Sequence, residues 1–474
     1  MTSPSRLNDS ERLIETLKQP TAWPTFVRIT GGVELIETHI SWVLLTDDFA
    51  WKIKKPVKFD FLDFSTLERR EYFCREELKL NRRFAPQLYL GLAAIRGTPE
   101  QPDLVTSAGA ETLNAGQSAV SENSANRLAM PDVFEFAVQM RRFDQTKLLS
   151  RLAENGKLDG ALVDELADVV AGFHARAERL PDLTNHDATA TDDDDNCEMD
   201  DREWIKPLAA AAHENFDALQ QRLDQPAQQS LLRQLEDWTD FELTSLKDVL
   251  QFRRKNGMVR NVHGDLHLGN IAIVDGKVCL FDCIEFNDDF RWIDVMSEVA
   301  FVVMDLEERG LTEFGWRFLN RYLERVGDYE GVRVLPFFLV YRALIRAKVD
   351  AIRLDDESLN QPERRLLREE LDSCLETADE DHDFVPPALI LMHGVSGSGK
   401  SYVAQHLLEK LPAVRVRSDV ERKRLFDLVS EARPTPAQAT EMYSAEASQR
   451  TYERLLCLAD TLLLIRSSLM PHSC

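Results

Sequence analysis

Residues 262–282 read Val262–His–Gly–Asp–Leu–His–Leu–Gly–Asn–Ile–Ala–Ile–Val–Asp–Gly–Lys–Val–Cys–Leu–Phe–Asp282. The short apolar runs on either side of Asp275–Gly276 predict a β-hairpin, because an Asp-Gly pair favours a tight turn between strands. Such a hairpin would bring Asp282, at the end of its second strand, back to Asp265 and Asn270. Carboxylate and amide oxygens are ligands for hard cations, so these three side chains can flank one site.

This arrangement resembles the catalytic loop and the metal-binding aspartate of the aminoglycoside phosphotransferase and choline kinase-like superfamily. The resemblance implies phosphoryl transfer from ATP, with Asp265 as the catalytic base and with Asn270 and Asp282 as ligands of Mg²⁺. It also implies that His263 shapes the loop and that Asp294 braces it. The alternative for Asp294 is the N-cap of a helix, and both roles can hold together.

The N-terminal region contains a candidate for the lysine that reaches the α- and β-phosphates in kinase-like sites. Phe49–Ala–Trp–Lys–Ile53 is predicted as a strand. Strand alternation places Lys52 and Lys54 on one face and Lys55 on the other. Lys52 follows the Ala-x-Lys pattern of such sites and is our candidate for an ATP contact.

A helix glutamate is expected to hold that lysine in place. Residues 65–83 carry a helical pattern that opens with the capping-box spacing Ser65–Thr–Leu–Glu68. Within it, Arg75–Glu76 resembles the start of the corresponding superfamily helix, so Glu76 is predicted as the lysine partner. Glu77 and Glu71 remain open alternatives.

A turn at Thr38–His–Ile–Ser41 is predicted to lie over the phosphates, with Ser41 among the ATP contacts. Protein kinases use a glycine-rich loop at this place. Gly31–Gly32 lies too early in the chain to match that loop.

The order of predicted elements indicates an α+β, two-lobed, protein-kinase-like fold followed by a partial α/β P-loop NTPase module. Residues 1–143 are predicted as a β-rich nucleotide-binding lobe, in which 97–131 is a surface insertion of small polar residues. Residues 144–378 are predicted as a mainly helical catalytic lobe, and the acidic segment 379–387 as a linker to residues 388–474. A second low-complexity segment, 185–201, is predicted as a solvated loop.

The C-terminal region contains a second nucleotide-binding signature, Gly394–Val–Ser–Gly–Ser–Gly–Lys–Ser401. It follows an apolar run at 388–393 that predicts a strand and precedes a helical pattern at 402–408, as a P-loop requires. Backbone N–H groups and the helix N-terminus would hold the phosphates. Lys400 would reach the β- and γ-phosphates, and Ser401 would bind Mg²⁺. The predicted nucleotide ligands are Gly394, Gly397, Gly399, Lys400 and Ser401.

The P-loop module is predicted to be incomplete. The run from Val414 is predicted as a second strand that ends at Asp419, and Asp419 and Arg422 are candidate acceptor contacts. The apolar run 461–465 is predicted as the last strand, but it lacks the Walker B aspartate that P-loop kinases need. The final nine residues show no pattern and suggest a truncation or readthrough, so we expect the segment after Leu464 to be loosely packed.

Composition and charge exclude several function classes. The chain carries 81 acidic and 57 basic residues, a formal net charge of −24. This charge disfavours nucleic acid and anionic membranes as partners and favours a cationic small acceptor. The sequence shows no apolar run of bilayer-spanning length and no signal peptide, and its seven cysteines are scattered. We therefore expect a reduced, cytoplasmic protein.

The motifs and the resemblance together predict an ATP- and Mg²⁺-dependent kinase that phosphorylates a hydroxyl group of a small-molecule acceptor through Asp265. Two alternatives stay open. One is a nucleotide-binding regulatory protein that uses the C-terminal P-loop, and the complete set Asp265, Asn270 and Asp282 argues against it. The other is a P-loop nucleoside or polynucleotide kinase, against which the missing Walker B strand and the negative charge argue.

Overall fold

The computed structural model describes residues 4–59, 62–106, 133–180, 205–356, 359–382, 388–395, 397–408 and 410–464. The described residues fall into two compact units. Unit 1 is drawn from residues 1–152, 263–265 and 269–291, and unit 2 from residues 153–262, 266–268 and 292–474.

The strands of the described chain are β1 (Glu34–Glu37), β2 (Ser41–Leu45), β3 (Phe49–Lys54), β4 (Lys58–Phe59), β5 (Leu62–Asp63), β6 (Tyr89–Thr98), β7 (Gln101–Thr106), β8 (Val133–Arg141), β9 (Val259–Asn261), β10 (Ile271–Val274), β11 (Lys277–Leu280) and β12 (Trp292–Asp294). The α-helices are α1 (Pro4–Leu17), α2 (Leu67–Asn81), α3 (Leu149–Glu154), α4 (Gly160–Arg176), α5 (Ile205–Gln220), α6 (Pro226–Ser245), α7 (Lys247–Lys255), α8 (Val295–Glu308), α9 (Thr312–Val326), α10 (Leu335–Arg353), α11 (Gln361–His382), α12 (Lys400–Leu408), α13 (Ser418–Arg424), α14 (Pro436–Met442) and α15 (Ala445–Leu464).

Unit 1 is built on a six-stranded antiparallel sheet with the strand order β1-β2-β3-β8-β6-β7. Strand β3 lies between β2 and β8, and its residue Lys52 is opposite Val43 on one side and Val138 on the other. The predicted hairpin is present, since β10 pairs antiparallel with β11 and Asp275 and Gly276 form the turn with positive φ angles.

The two faces of the sheet pack against different elements. One face packs against α1 and carries Trp51 and Ile53 of β3. The other face packs against α2 and the β10–β11 hairpin. Because side chains alternate along a strand, Lys52 and Lys54 belong to this second face. Trp51 is fully buried, and truncating such a side chain costs about 3–5 kcal/mol, so β3 is fixed in register by its apolar residues.

Unit 2 is mainly helical. Helix α8 is buried along almost its whole length and packs against α9 and α10, α4 packs against α9, and α10 packs against α11. Every residue from Val295 to Leu306 is buried, and a helix buried on all sides is typical of the centre of a larger core. Strand β12 pairs antiparallel with β9, so the start of α8 is tied to the strand that leads into the catalytic loop.

Several predicted boundaries differ in the structure. The run 33–45 is divided into β1 and β2 by the turn at residues 38–41, and the α2 N-cap is Thr66, whose hydroxyl accepts the N–H of Arg69. The segment 97–131 was predicted as an insertion, but its first part forms the β6–β7 hairpin, with Leu104 and Thr106 buried. Residues 107–131 and 185–201 lie outside the described residues. Helix α11 ends at His382, inside the predicted linker, and 383–387 are not described.

The strands predicted for the P-loop module are wrong. The described residues of 388–464 contain no strand, and the apolar side chains of 389–392 are largely exposed. In the predicted second strand, the N–H of Arg415 donates to Oδ1 of Asn320 (2.6 Å), and the carbonyl of Ala413 accepts from its Nδ2 (2.8 Å). A side chain therefore takes the place of a neighbouring strand. The run at 461–465 continues α15 as far as Leu464, and 465–474 lie outside the described residues.

Candidate active site

Two lysines of β3 share one buried glutamate. Glu77 of α2 is fully buried, and its carboxylate lies 3.0 Å from Nζ of Lys52 and 2.7 Å from Nζ of Lys54. The prediction that Glu76 holds the strand lysine is wrong. Glu76 pairs with the exposed Lys79 (3.1 Å), because one residue along a helix rotates the side chain by about 100°, away from the sheet.

The charged groups of Lys52, Lys54 and Glu77 stabilise one another in their ionised forms. Burial alone would lower the pKa of Lys52, but the carboxylates of Asp282 and Glu77 raise it well above its ordinary value. Burial alone would raise the pKa of Glu77, but the ammonium groups of Lys52 and Lys54 lower it to about 2. The lysines and Glu77 are therefore charged at neutral pH, as a phosphate-binding group and its holder must be.

The catalytic loop brings Asp265 and Asn270 together. Nδ2 of Asn270 donates to the backbone carbonyl (2.9 Å) and to Oδ2 (3.0 Å) of Asp265. These contacts fix the direction of the Asp265 carboxylate and leave Oδ1 of Asn270 as the amide atom that can accept a cation. The backbone carbonyl of Asn270 accepts from the N–H of Phe281 (3.0 Å), so the loop and the end of β11 are adjacent.

His263 joins the loop to the strand that precedes Asp282. The ring is fully buried, its Nε2–H donates to the carbonyl of Phe281 (2.8 Å), and its Nδ1 accepts from the N–H of Asp265 (3.4 Å). This pair of contacts requires the Nε2–H tautomer with an unprotonated Nδ1. His263 therefore shapes the loop through hydrogen bonds, which is the role given to it from the sequence.

Gly264 is required by the same loop. Its φ of +86° is in the left-handed region, and a Cβ at this position would lie 2.6 Å from the carbonyl oxygen of Phe290. Both observations exclude other residue types without rearrangement, since L-residues with a Cβ are strained at this φ. The backbone next to Asp265 is thus packed tightly against the Phe290 segment.

Asp282 is held in a conformation that is uncommon for a residue with a side chain. Its φ is +62°, which costs on the order of 1–3 kcal/mol and is found mostly at functional sites. Its N–H donates to the hydroxyl of Tyr89 (3.0 Å), and the next N–H, of Cys283, donates to Oδ1 of Asn81 (2.9 Å). The carboxylate forms an ion pair with Lys52 and is 40% exposed, so it can reach both the lysine and a ligand.

The residues present fit Mg²⁺ and a nucleotide. Asn270 and Asp282 offer hard oxygen donors on adjacent ends of β10 and β11, and Mg²⁺ is usually held by one or two such groups together with phosphate oxygens. Within the described chain, no group of three or more His, Cys, Asp or Glu side chains forms a metal site. Ser41, predicted as an ATP contact, is the first residue of β2, and its Oγ is buried without a hydrogen-bond partner.

Asp294 fulfils its alternative role and belongs to unit 2. Its carboxylate accepts the N–H of Met296 (2.8 Å) as the N-cap of α8 and forms two bonds with buried Arg253 (2.7 and 2.8 Å). Arg253 also pairs with Asp328 (2.7 Å). Burial opposes the charge on Arg253, but the two aspartates raise its pKa well above its ordinary value. Asp294 thus anchors the start of α8 beside β9.

Asp305 binds the backbone of the loop directly, and it was not predicted from the sequence. Its Oδ2 accepts the N–H of Leu268 (2.7 Å), and its Oδ1 accepts from Arg309 (3.1 Å). The side chain is fully buried, and although burial acts to raise its pKa, the cation of Arg309 is the largest of the influences that lower it. A charged residue inside the apolar run of α8 was the available signal, because buried carboxylates almost always have partners.

The P-loop has the expected helix at its C-terminal end but not the expected strand at its N-terminal end. Helix α12 begins at Lys400, and Gly397 and Gly399 have φ angles of +80° and +84°, while Gly394 has +149°. Nζ of Lys400 donates to the carbonyls of Gly394 and Val395 (both 2.7 Å). Ser401 lines a cavity of about 270 Å³ whose charged lining includes both four arginines, at positions 317, 321, 415 and 417, and the acids Asp164 and Glu324. The strand that should support the loop is absent from the described residues.

The two candidate acceptor contacts of this module both have partners within it. Asp419 lies in the first turn of α13, not at a strand end, and pairs with Lys423 (3.1 Å). Arg422 is buried, donates to the carbonyl of Met442 (2.6 Å), and lies 4.9 Å from the ring centroid of Tyr443. The described part of the module therefore uses the Arg422 guanidinium for its own packing.

Comparisons with known proteins give two family matches. The model of the "Phosphotransferase enzyme family" matches residues 131–335, and the model of the "AAA domain" matches residues 389–468. Uncharacterized proteins of Mycobacterium tuberculosis and Mycobacterium bovis are 32% identical over 400 residues, which cover 83% of this chain and 69% of each relative. The matches confirm the predicted combination of a kinase-like phosphotransferase fold and a P-loop module.

Solved structures with similarity to the chain include three kinases. An amicoumacin kinase in complex with AMP-PNP and Ca²⁺ has a TM-score of 0.43 at 13% identity, covering 78% of this chain and 94% of that one. A choline/ethanolamine kinase family protein from Mesorhizobium loti has a TM-score of 0.41 at 9% identity, covering 85% and 99%. A spectinomycin phosphotransferase has 0.35 at 12%, covering 78% and 98%. None of the helices in the described chain has both the length and the hydropathy that crossing a membrane requires.

Proposed function

We propose that this chain, which belongs to the family of fused aminoglycoside phosphotransferase-like and P-loop ATP-binding proteins, is an ATP-dependent phosphotransferase. It transfers the γ-phosphate of ATP to a hydroxyl group of a small acceptor. The chain is a kinase, as its match to the phosphotransferase family indicates. The observation that carries the proposal is the position of the Lys52 ammonium, which contacts both Glu77 of α2 and Asp282 after the hairpin.

Lys52 and Glu77 form the nucleotide side of the proposed site. Lys52 binds the phosphates of ATP, and Glu77 holds the ammonium in position from a helix that is packed on the same face of the sheet. Glu77 stays ionised because two lysines face it.

Asp265 and Asn270 form the acceptor side of the proposed site. The Asp265 carboxylate takes the proton of the acceptor hydroxyl, and the amide of Asn270 orients that carboxylate. Asn270 and Asp282 would hold Mg²⁺, which supplies charge neutralisation for the phosphates when it is bound. Every residue named here belongs to unit 1, so one compact unit carries the proposed machinery.

The proposed acceptor is a small molecule rather than nucleic acid or a membrane. The net charge of −24 repels polyanions and attracts cations, so amines that carry a hydroxyl group are the first class to test. A cytoplasmic location, where ATP and Mg²⁺ are supplied, is part of the same proposal.

A transfer assay with γ-labelled ATP tests the proposal. The full chain is incubated with panels of amino alcohols, amino sugars and nucleosides, with Mg²⁺ or with a chelator. We expect label on a hydroxylated amine only with Mg²⁺. Absence of labelled product from every panel, or equal labelling in the presence of chelator, would contradict the proposal.

One aspartate in the hairpin turn and one just after the hairpin provide a matched pair of variants. Asp282→Asn removes the proposed metal ligand, whereas Asp275→Asn changes the turn residue, which pairs at the surface with Arg141 (2.6 Å). Both positions have a positive φ, which asparagine tolerates well. We expect transfer to be lost in Asp282→Asn and kept in Asp275→Asn. Equal activity of the two variants would remove Asp282 from the site.

A further inference from the structure

A second lysine of β3 is buried more deeply than the proposed ATP ligand. Lys54 is fully buried, with Nζ 2.7 Å from the carboxylate of Glu77 and paired with the carboxylate of Glu285. Its ammonium also lies 4.9 Å from the ring centroid of Phe64. Because no part of its side chain is accessible, Lys54 cannot contact a nucleotide.

Placing Lys54 and Glu285 in the interior carries a large desolvation cost. Buried ion pairs often contribute less to stability than apolar residues of the same size, so their presence calls for another role. Burial acts to lower the pKa of Lys54, but Glu285 and Glu77 raise it above its ordinary value. For Glu285, burial raises the pKa, and Lys54 opposes that shift. The two charges therefore stabilise each other, and burial shields the pair from solvent.

The position of Glu285 in the chain indicates what the pair controls. Glu285 follows Asp282 by three residues, and the segment between them is held at each backbone step by unit 1. Tyr89 accepts the N–H of Asp282, and Asn81 accepts the N–H of Cys283. The carbonyl of Ile284 accepts from Arg291 (2.8 Å). The Lys54–Glu285 pair is the side-chain contact that joins the end of this segment to β3.

The two lysines differ in whether a nucleotide would break their ion pairs. The Lys52–Asp282 pair would open if Lys52 bound phosphates and Asp282 held Mg²⁺. Asp282 would then keep its left-handed backbone without its ion pair to Lys52. Lys54 is fully buried, so its pairs with Glu77 and Glu285 would not need to open for a ligand.

We propose that the buried Lys54–Glu285 pair is a positioning device that holds Asp282 in its metal-binding conformation while Lys52 is engaged with nucleotide. The inference rests on the proposed function, because it takes Asp282 as a metal ligand. Lys54 and Glu285 are positioning residues that touch neither substrate nor metal. Loss of a group that orients a metal ligand without touching the metal typically lowers metal affinity by about 10- to 100-fold.

Nucleotide binding with and without metal tests this role without an acceptor. Lys54→Met and Glu285→Gln are made in the full-length chain on a Lys400→Ala background, which removes the P-loop lysine. Binding of a fluorescent ATP analogue is titrated with Mg²⁺ and with chelator. We expect the Mg²⁺ concentration for half-maximal binding to rise about 10-fold or more in both variants. Metal-free binding, which depends on Lys52, should change by less than about threefold.

Another buried ion pair of unit 1 provides the control. Arg70 and Glu135 pair at 2.8 Å with nearly full burial, and their other hydrogen bonds go to the backbone of Phe64 and Phe136. Glu135→Gln should lower the thermal midpoint as Glu285→Gln does, yet leave the Mg²⁺ requirement unchanged. Glu285→Gln keeps shape and hydrogen bonding, so it remains informative if Lys54→Met fails to fold.

The possible outcomes separate the positioning role from the proposed function. An unchanged Mg²⁺ requirement in Glu285→Gln overturns the positioning role, and so does an equal rise in Glu135→Gln, which would mark a general loss of stability. If the parent chain with Lys400→Ala binds the analogue without any dependence on Mg²⁺, the proposed metal site itself fails. The first two results leave the kinase mechanism intact, whereas the last removes it.

Discussion

Replacing Glu77 by glutamine should weaken both the fold of unit 1 and its activity, whereas the same change at Glu76 should do neither. Glu77 is fully buried between Lys52 and Lys54, and removing one member of a buried ion pair costs about 3–5 kcal/mol. The Glu76 carboxylate pairs with Lys79, whose side chain is 72% exposed, and such surface pairs contribute about 0–1 kcal/mol.

The lowered pKa of Glu77 also makes the stability of unit 1 depend on pH. A fall from 4.5 to about 2 corresponds to about 3 kcal/mol, at 1.36 kcal/mol per pKa unit. Because the folded-state pKa is depressed, this stabilisation is complete above the unfolded pKa and is lost as the pH falls towards 2. Between these pH values wild type should lose stability steeply, and Glu77→Gln should lose less.

Urea denaturation followed by tryptophan fluorescence measures the effect, since Trp42 and Trp51 report on this unit. We expect Glu77→Gln to shift the midpoint by the equivalent of about 3 kcal/mol and Glu76→Gln by less than about 1 kcal/mol. A displaced Lys52 should also lower kcat/KM by about 100-fold in Glu77→Gln. The account of the lysine cluster would be refuted by two variants with equal midpoints and equal activity.

Three further changes have defined expected outcomes. Gly264→Ala should abolish transfer and lower the thermal midpoint, because its Cβ would meet a backbone carbonyl at 2.6 Å; normal activity would contradict the tight packing of the loop against Phe290. Arg253→Met should destabilise the chain by about 3–5 kcal/mol in urea unfolding, since it leaves two buried aspartates unpaired, and a shift below about 1 kcal/mol would speak against that bridge. Lys400→Ala should leave ATP-analogue binding almost unchanged, because the P-loop lacks its supporting strand in the described residues, and a micromolar site lost only in this variant would show a functional module.

The parts of the site that lie close in the chain could be predicted from sequence. Asp265, Asn270 and Asp282 are separated by one loop and one two-residue turn, so spacing alone placed them together. Alternation along β3 also placed Lys52 and Lys54 on one face, although which of them contacts ligand depends on burial that a single sequence does not specify.

The missed features depend on contacts between distant segments. Whether Glu76 or Glu77 faces the sheet depends on the rotation of α2 about its axis, which is set by Cys74 and Leu78 in the core. Asp305 reaches Leu268 only because α8 is packed beside the loop. The runs at 388–393 and 461–465 are short and apolar, and such runs do not distinguish a strand from a helix or an extended segment until their neighbours are known.

Phosphate transfer by Asp265→Asn measures the central claim most directly. The variant keeps the size and the hydrogen-bonding groups of the loop but cannot take a proton, and a general base contributes about 10²- to 10⁴-fold. With an acceptor identified in the transfer screen, we predict a loss of this size in kcat, unchanged binding of the ATP analogue, and full transfer by Lys400→Ala. Activity of Asp265→Asn within about tenfold of wild type, or transfer abolished by Lys400→Ala alone, would contradict the assignment of catalysis to unit 1.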